Sequence, residues 1–154
     1  MKAEFINAFL TAVLNILSTM AMMKAQPGKP SIKADHVAKG DVTGLMGMAS
    51  EQARGTLAVT FTKPVILAIT ERMLGDKLDT IDDTVTDMVG ELTNMVTGGA
   101  KKLLSEKGYR FDMAIPVVIS GKDHVVLHKS KSPIVMIPFT TDVGDFFVEL
   151  CFEQ

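Results

Sequence analysis

Tryptophan is absent from these 154 residues, and tyrosine and cysteine occur once each. A single cysteine, Cys151, excludes an intrachain disulfide and points to a reducing compartment. Set in an apolar run, it reads as a small core residue rather than a reactive thiol. An excess of one charge is also missing: 16 basic against 18 acidic residues leave a net charge of −2. The lysines and arginines are scattered rather than set beside aromatics, which excludes a nucleic-acid surface. Histidine is scarce. His36, His124 and His128 form no i,i+4 helical pair and no Cys/His cluster, so no metal site is expected and all three read as strand-end or surface residues. There is no Gly-x-Ser-x-Gly nucleophile elbow and no glycine-rich phosphate loop between a strand and a helix. No run approaches the roughly 18 uninterrupted apolar residues of a membrane span. Glu4, Asn7 and Asn15 break the apolar N-terminal segment at helical spacing, which marks an amphipathic helix instead of a signal peptide and makes a cytoplasmic location the expectation.

What the chain does have is apolar mass. Hydrophobic residues make up 47%, enough for one compact domain over residues 1–154. A helix is predicted from about Ala3 to Met23, ending in the breaker cluster Gln26-Pro27-Gly28-Lys29-Pro30. Ser31 to Val37, Val42 to Ser50 and Gly55 to Phe61 read as strands, the last two as a hairpin in which Gly44 and Gly47 suggest bulges or close backbone approach. Pro64 to Leu74 is a second helix, with proline at its first turn and Gly75 as its cap. Asp79 to Asp83 offer N-cap groups to a third helix, Thr84 to Lys107, which closes at Gly108. Arg110–Ile119, Asp123–Lys129, Ser132–Phe139 and Asp145–Phe152 follow as strands. Helix plus hairpins therefore occurs twice. Asp35-His36-Val37 recurs as Asp123-His124-Val125, and Gly55 before one strand recurs as Gly144 before another. These echoes suggest two related halves, about 1–62 and 80–154, joined by the helix 64–74. Aligning Asn15 with Asn94 places Ala12 over Glu91, so only the second half carries a Glu/Asn pair.

The third helix breaks local rules. Val85, Met88, Val89, Leu92, Met95, Val96, Gly99 and Leu103 fall on one face, while Asp87, Glu91, Asn94, Gly98 and Lys101 form a stripe on the other. Asp87 and Glu91 are like charges one turn apart, which costs an isolated helix about 0.2–0.5 kcal/mol. Gly90, Gly98 and Gly99 each cost up to about 1 kcal/mol relative to alanine. Departures of this kind gather where function or close packing is at stake. Lys101, Lys102 and Lys107 suit the negative end of the helix dipole, and the methionines fall mostly in apolar periodic segments and read as core. Glu91 and Asn94 alone would be an ordinary solvated face. Chemically they offer an anion and an amide from a rigid element, and an amide can hold a water by one hydrogen bond while donating another. Gly98, one turn on, leaves the surface low enough for a partner's backbone to come close.

Asp87-xxx-Glu91-xx-Asn94, followed some twenty residues later by Pro116 in a strand, resembles the Asp/Ser-xxx-Glu-xx-Asn…Pro signature of the CheC/CheX group of chemotaxis phosphatases. The order of helices and hairpins resembles that group over nearly the whole chain, and a single signature helix places it nearer the CheX branch. The resemblance implies an α/β (α+β) fold with a mainly antiparallel sheet of about six strands and long helices packed on one face. It implies hydrolysis of the aspartyl phosphate of a response-regulator receiver domain, CheY or a relative. In that reading Asn94 orients the attacking water, Glu91 pairs with the partner's lysine, and Asp87, Gly98 and Lys101 support docking. No cofactor of its own is implied, Mg2+ being carried by the partner, and a homodimer through sheet edges is expected. Two other readings stay open: a receiver-binding module without hydrolysis, and a dimerisation domain in which Glu91 and Asn94 are merely solvated.

Overall fold

A computed structural model describes residues 1–153. Along the chain lie α1 (Ala3–Met20), β1 (Gln26–Pro27), β2 (Ser31–Lys33), β3 (Val42–Ala49), β4 (Arg54–Phe61), α2 (Lys63–Leu74), α3 (Asp83–Ser105), β5 (Asp112–Met113), β6 (Val117–Ser120), β7 (Ile134–Thr141) and β8 (Gly144–Glu153). The strands form one antiparallel sheet in the order β1-β7-β8-β4-β3-β5, with β2 also on β7 and β6 also on β3. Two differences from the sequence expectation concern the strands. The described sheet has eight strands where about six were expected: Gln26–Pro27 pairs with β7, and the stretch 110–119 divides into β5 and β6, while one of the seven stretches read as strands drops out. The division falls just before Pro116, whose missing N–H cannot join a ladder. Conversely, Asp123–Lys129 is not a strand, and beyond Lys33 the segment to Val37 is irregular; their contact is a single antiparallel bridge, Val37 to Val125.

Each long helix is followed by two short strands that cross to the other hairpin. After α1, β1 and β2 add to β7 of the hairpin β7–β8, while after α3, β5 and β6 add to β3 of the hairpin β3–β4. The hairpins join through β4 and β8, from Arg54↔Glu153 to Phe61↔Phe146. Around the Val37–Val125 bridge the Ala38 N–H donates to the His124 carbonyl at 2.9 Å and the Val126 N–H to the His36 carbonyl at 2.8 Å, so the two Asp-His-Val segments run antiparallel face to face.

Alternation along the strands decides what each face of the sheet meets. Leu57, Val59 and Phe61 of β4 and Phe146, Val148, Leu150 and Phe152 of β8 point to the helices and build the main core with Phe5, Phe9, Val13, Ile66, Ile69, Val89, Leu92 and Leu104. The few aromatics are concentrated there: Phe5, Phe9, Tyr109, Phe111 and Phe152 pack ring against ring at one end, Phe61, Phe139 and Phe146 at the other.

Helix ends follow local chemistry. Asp82 caps α3, accepting from the Val85 N–H at 3.1 Å. The α3 end closes on Gly108, whose φ of 91° lets the Tyr109 N–H reach back to the Leu104 carbonyl and its own N–H reach that of Ser105. Gly75 caps α2 with φ 82°, and the opposite end receives a remote cap, the Asp41 carboxylate accepting from the Lys63 N–H at 2.7 Å. Helix α1 stops three residues earlier than expected, because Met22 turns left-handed with φ 49° and returns Met23 to the core.

By length and mean hydropathy, 1.4, α1 would suffice to cross a membrane. Its apolar face is occupied within the domain, Phe5, Ala8, Phe9, Ala12, Val13 and Leu17 being buried. The crossing with α3 is tight: a Cβ on Gly99 would lie 3.2 Å from the Ala12 Cβ. Ala12→Leu overfills this crossing and is expected to lower stability by about 1–3 kcal/mol, read as a lower urea midpoint at unchanged m-value.

Candidate functional site

The signature helix presents its two faces as the periodicity demands. Val85, Met88, Val89, Leu92, Thr93, Val96, Thr97, Ala100 and Leu104 are buried, whereas Asp87, Glu91 and Asn94 are exposed. Met95 and Leu103, expected in the core, lie half-buried at its margin. Gly98 and Lys101 continue the outer stripe and are half-buried. A Cβ on Gly98 would meet nothing within 4 Å, so the surface there is open. Pro116 stands half-buried at the entry to β6, and two residues on, the Val118 side chain lies 3.6 Å from where a Cβ of Gly90 would be. The proline-bearing strand therefore runs beside the turn of α3 from which Glu91 and Asn94 project.

Glu91 and Asn94 sit about 5–6 Å apart at their Cβ atoms, as i,i+3 neighbours do. The ion pairs among the described residues are made elsewhere, and among those residues no side chain engages either group. Neither lines the open clefts at Lys2, Gln52 and Tyr109 or at Lys24, Arg72 and Asp142. Two ligand-ready groups on a convex, rigid helix suit a macromolecular partner; a small substrate is held in a concavity. Ala12, which the alignment of the two sequence halves sets over Glu91, is buried against α3. Asn15 is exposed without an acidic neighbour of this kind.

The family model described as "Chemotaxis phosphatase CheX" matches residues 42–140, which include all of α3 and Pro116. The chain belongs to the CheX family. It is similar to a CheC-like superfamily protein from Shewanella sp. PV-4, with 55% identity and a TM-score of 0.94 over 100% of both chains. It is 25% identical over 141 residues to the CheY-P phosphatase CheX of Thermotoga maritima, covering 91% of this chain and 89% of that protein. The fold is shared with CheX of Borrelia burgdorferi, solved in a CheX-CheY-BeF3-Mg2+ complex, at a TM-score of 0.83 with 23% identity over 99% of this chain and 100% of that one.

This CheX-family chain also buries polar side chains that its sequence did not single out. Glu149 stands between Phe146, Val148, Leu150 and Phe152 but points away from them, to the face of the sheet opposite the helices. There it accepts from Lys33 Nζ at 2.9 Å and from His128 Nε2 at 3.1 Å, and His128 Nδ1 meets the Thr56 hydroxyl. Close by, His124 bonds Thr43 at 2.6 Å and the Gly121 carbonyl at 2.8 Å. His124 and His128 are thus not surface residues: the irregular segment 121–133 lies across the sheet and needs polar anchors, having no ladder of its own. Cys151 is likewise buried, its thiol directed to the Ser130 and Ser132 carbonyls, and burial pushes its pKa up. The signal for the network was the lone carboxylate at an alternating position in an apolar strand.

Thr56, His128 and Glu149 have the order of a nucleophile–base–carboxylate triad, yet the His128 and Glu149 side chains are 1% and 2% exposed and Lys33 neutralises the carboxylate. A substrate has no access, and the group acts as an anchor. Among the described residues no cluster of three or more His, Cys, Asp or Glu side chains is arranged to hold a metal ion.

Burial pushes the Glu149 carboxyl up, but hydrogen bonds from His128 and Lys33 and their charges outweigh it and leave it below its ordinary 4.5. A lowered pKa means that the stability it contributes is fully present above 4.5 and is lost as pH falls through the folded value. Glu149→Gln leaves Lys33 buried without a counter-ion and is expected to cost about 3–5 kcal/mol at neutral pH. Urea midpoints from about pH 7 to pH 3 then fall more steeply for the natural protein than for the variant.

Proposed function

We propose that the chain hydrolyses the aspartyl phosphate of a CheY-type receiver domain, with Asn94 and Glu91 as the groups it inserts into the partner's site. The observation that carries this reading is the pair itself: exposed, without a side-chain partner among the described residues, and projecting from a convex helix. Such a surface completes an active site whose remaining parts reside on another protein.

In this mechanism the partner's aspartate bears the phosphoryl group, and its own Mg2+ and lysine neutralise the phosphoryl oxygens. The Asn94 amide accepts one hydrogen bond from a water and fixes it in line with the P–O bond to the aspartate. The water oxygen attacks phosphorus, the aspartyl carboxylate leaves, and the water's protons pass to the released inorganic phosphate. Glu91, one turn back, pairs with the partner's lysine and sets the docking register. Asp87 adds negative charge to the same stripe, Gly98 admits the partner's backbone and Lys101 borders the docked surface. Catalysis by positioning needs no base with a tuned pKa. The receiver partner, the single buried cysteine and the packed α1 support a cytoplasmic setting.

We also propose that the chain pairs with a second copy through the outer edge formed by β6, where Val117 is 55% and the preceding Ile115 87% exposed. An unpaired strand edge flanked by apolar side chains is a template for further pairing. Sedimentation should give twice the 16.7 kDa chain mass; a monomer at micromolar concentration overturns this.

Asn94→Ala is expected to leave folding and partner binding intact and to remove most of the stimulated phosphate release, by about 100-fold or more. Glu91→Ala is expected to weaken partner binding as well. The assay follows decay of a phosphorylated receiver with catalytic amounts of the chain. Decay no faster than that of the receiver alone identifies a binding module, and unaltered decay with Asn94→Ala rejects the mechanism.

A further inference from the structure

We propose that Gly44 is a positioning residue for this reaction: its lack of a side chain seats Thr93 against β3 and so sets the height and rotation at which Asn94 meets the partner. The inference rests on the phosphatase reading above and concerns a residue on the opposite side of α3 from the docking stripe.

Gly44 lies mid-strand in β3 and is paired on both sides, with Val59 of β4 and with Val118 of β6. Its backbone therefore cannot retreat from α3. A Cβ there would overlap the Thr93 hydroxyl, and would stand 3.0 Å from the Thr93 Cβ and 3.2 Å from a Val89 methyl. Thr93 has little room to give way. Its residue is fully buried, its hydroxyl donates to the Val89 carbonyl at 2.7 Å, and its own carbonyl accepts from the Thr97 hydroxyl at 2.7 Å. A methyl group at position 44 must therefore move the helix.

The movement falls where it matters. Asn94 directly follows Thr93, about 100° further round the helix. The neighbouring supports lie to either side along α3: Val118 beside Gly90, and Ala12 beside Gly99. With these in place, pressure at Thr93 tilts the intervening turn rather than sliding the whole helix. In-line attack tolerates little error, and a displacement of about 1 Å costs on the order of 100-fold in rate. Docking spreads over the whole stripe and tolerates more.

The test uses the full chain and a phosphorylated CheY-type receiver, with turnover and affinity read separately; affinity is measured on the beryllofluoride-loaded receiver. Gly44→Ala is expected to lower turnover by about 10- to 100-fold while affinity changes by less than about threefold. Gly44→Ala combined with Thr93→Ala removes the obstructing hydroxyl, leaving the contacts at 3.0 and 3.2 Å, and is expected to recover most of the lost turnover. Undiminished turnover in Gly44→Ala overturns the inference, as does a double variant no faster than Gly44→Ala. If melting shows Gly44→Ala unfolded at the assay temperature, Thr93→Val probes the same contact from the helix, because a methyl replaces the hydroxyl that faces Gly44. It is then expected to show the same loss, and normal turnover overturns the inference. Asn94→Ala run alongside separates the two levels: full activity there rejects the phosphatase mechanism, whereas loss there with none in the Gly44 and Thr93 variants rejects only the positioning role.

Discussion

Val89 and Thr93 of α3 rest on the bare backbone of Gly44, and the outward placement of Asp87, Glu91 and Asn94 follows from that contact. A helix whose polar face engages no side chain among the described residues gains nothing from that face; it has to be held from behind. Glycines at 90 and 99 and at 44 bring it close to β6, α1 and β3 in turn. Each helical glycine costs about 1 kcal/mol of intrinsic helix stability. The loss is recovered because most helical stability in a folded domain comes from packing rather than propensity.

Polar groups are distributed unequally between the two sides of the sheet. On the helix side Asp87 and Glu91 of the signature stripe are exposed and unpaired among the described residues. On the far side the polar side chains are buried in two bonded groups, Lys33, Glu149, His128 and Thr56 in one and His124, Thr43 and Thr60 in the other. Buried polar groups are tolerated when every member is satisfied, and no buried side-chain N or O lacks a partner among the described residues. The closed groups anchor an irregular stretch of chain; the open stripe engages no side chain among the described residues.

Much of this was legible in the sequence, for identifiable reasons. The α3 periodicity is strong and its ends are marked by the acidic stretch Asp79–Asp83 and by Gly108, so both faces could be assigned from residue spacing; Met95, Gly99 and Leu103 sit further out than expected. The β3–β4 hairpin alternates cleanly and appears in the expected register span, without the bulges that Gly44 and Gly47 suggested. Gly44 meets the other expectation, close backbone approach. Asp123–Lys129 was misread as a strand because Val125 and Leu127 alternate with His124, Val126 and His128 as strand residues would. Here the inward positions serve side-chain anchors, while Val125 and Leu127 are 51% and 63% exposed. Local pattern cannot distinguish a segment that joins a sheet from one that lies across it. For the same reason the Lys33–Glu149 pair, 116 positions apart in the chain, left no mark beyond a carboxylate in an apolar run.

The exchange of short strands between the halves bears on how the molecule comes into being. Neither hairpin is complete until a strand synthesised with the other half's helix has arrived, so neither half presents a finished sheet alone. Contacts between residues more than a hundred positions apart make closure entropically expensive and folding slow. They also bind the half that lacks a Glu/Asn pair to the half that has one: α1 and the strands after it must be in place before the turn of α3 that carries Glu91 and Asn94 is held. Partial unfolding has no obvious place to stop, and the domain is expected to be lost or kept as a whole.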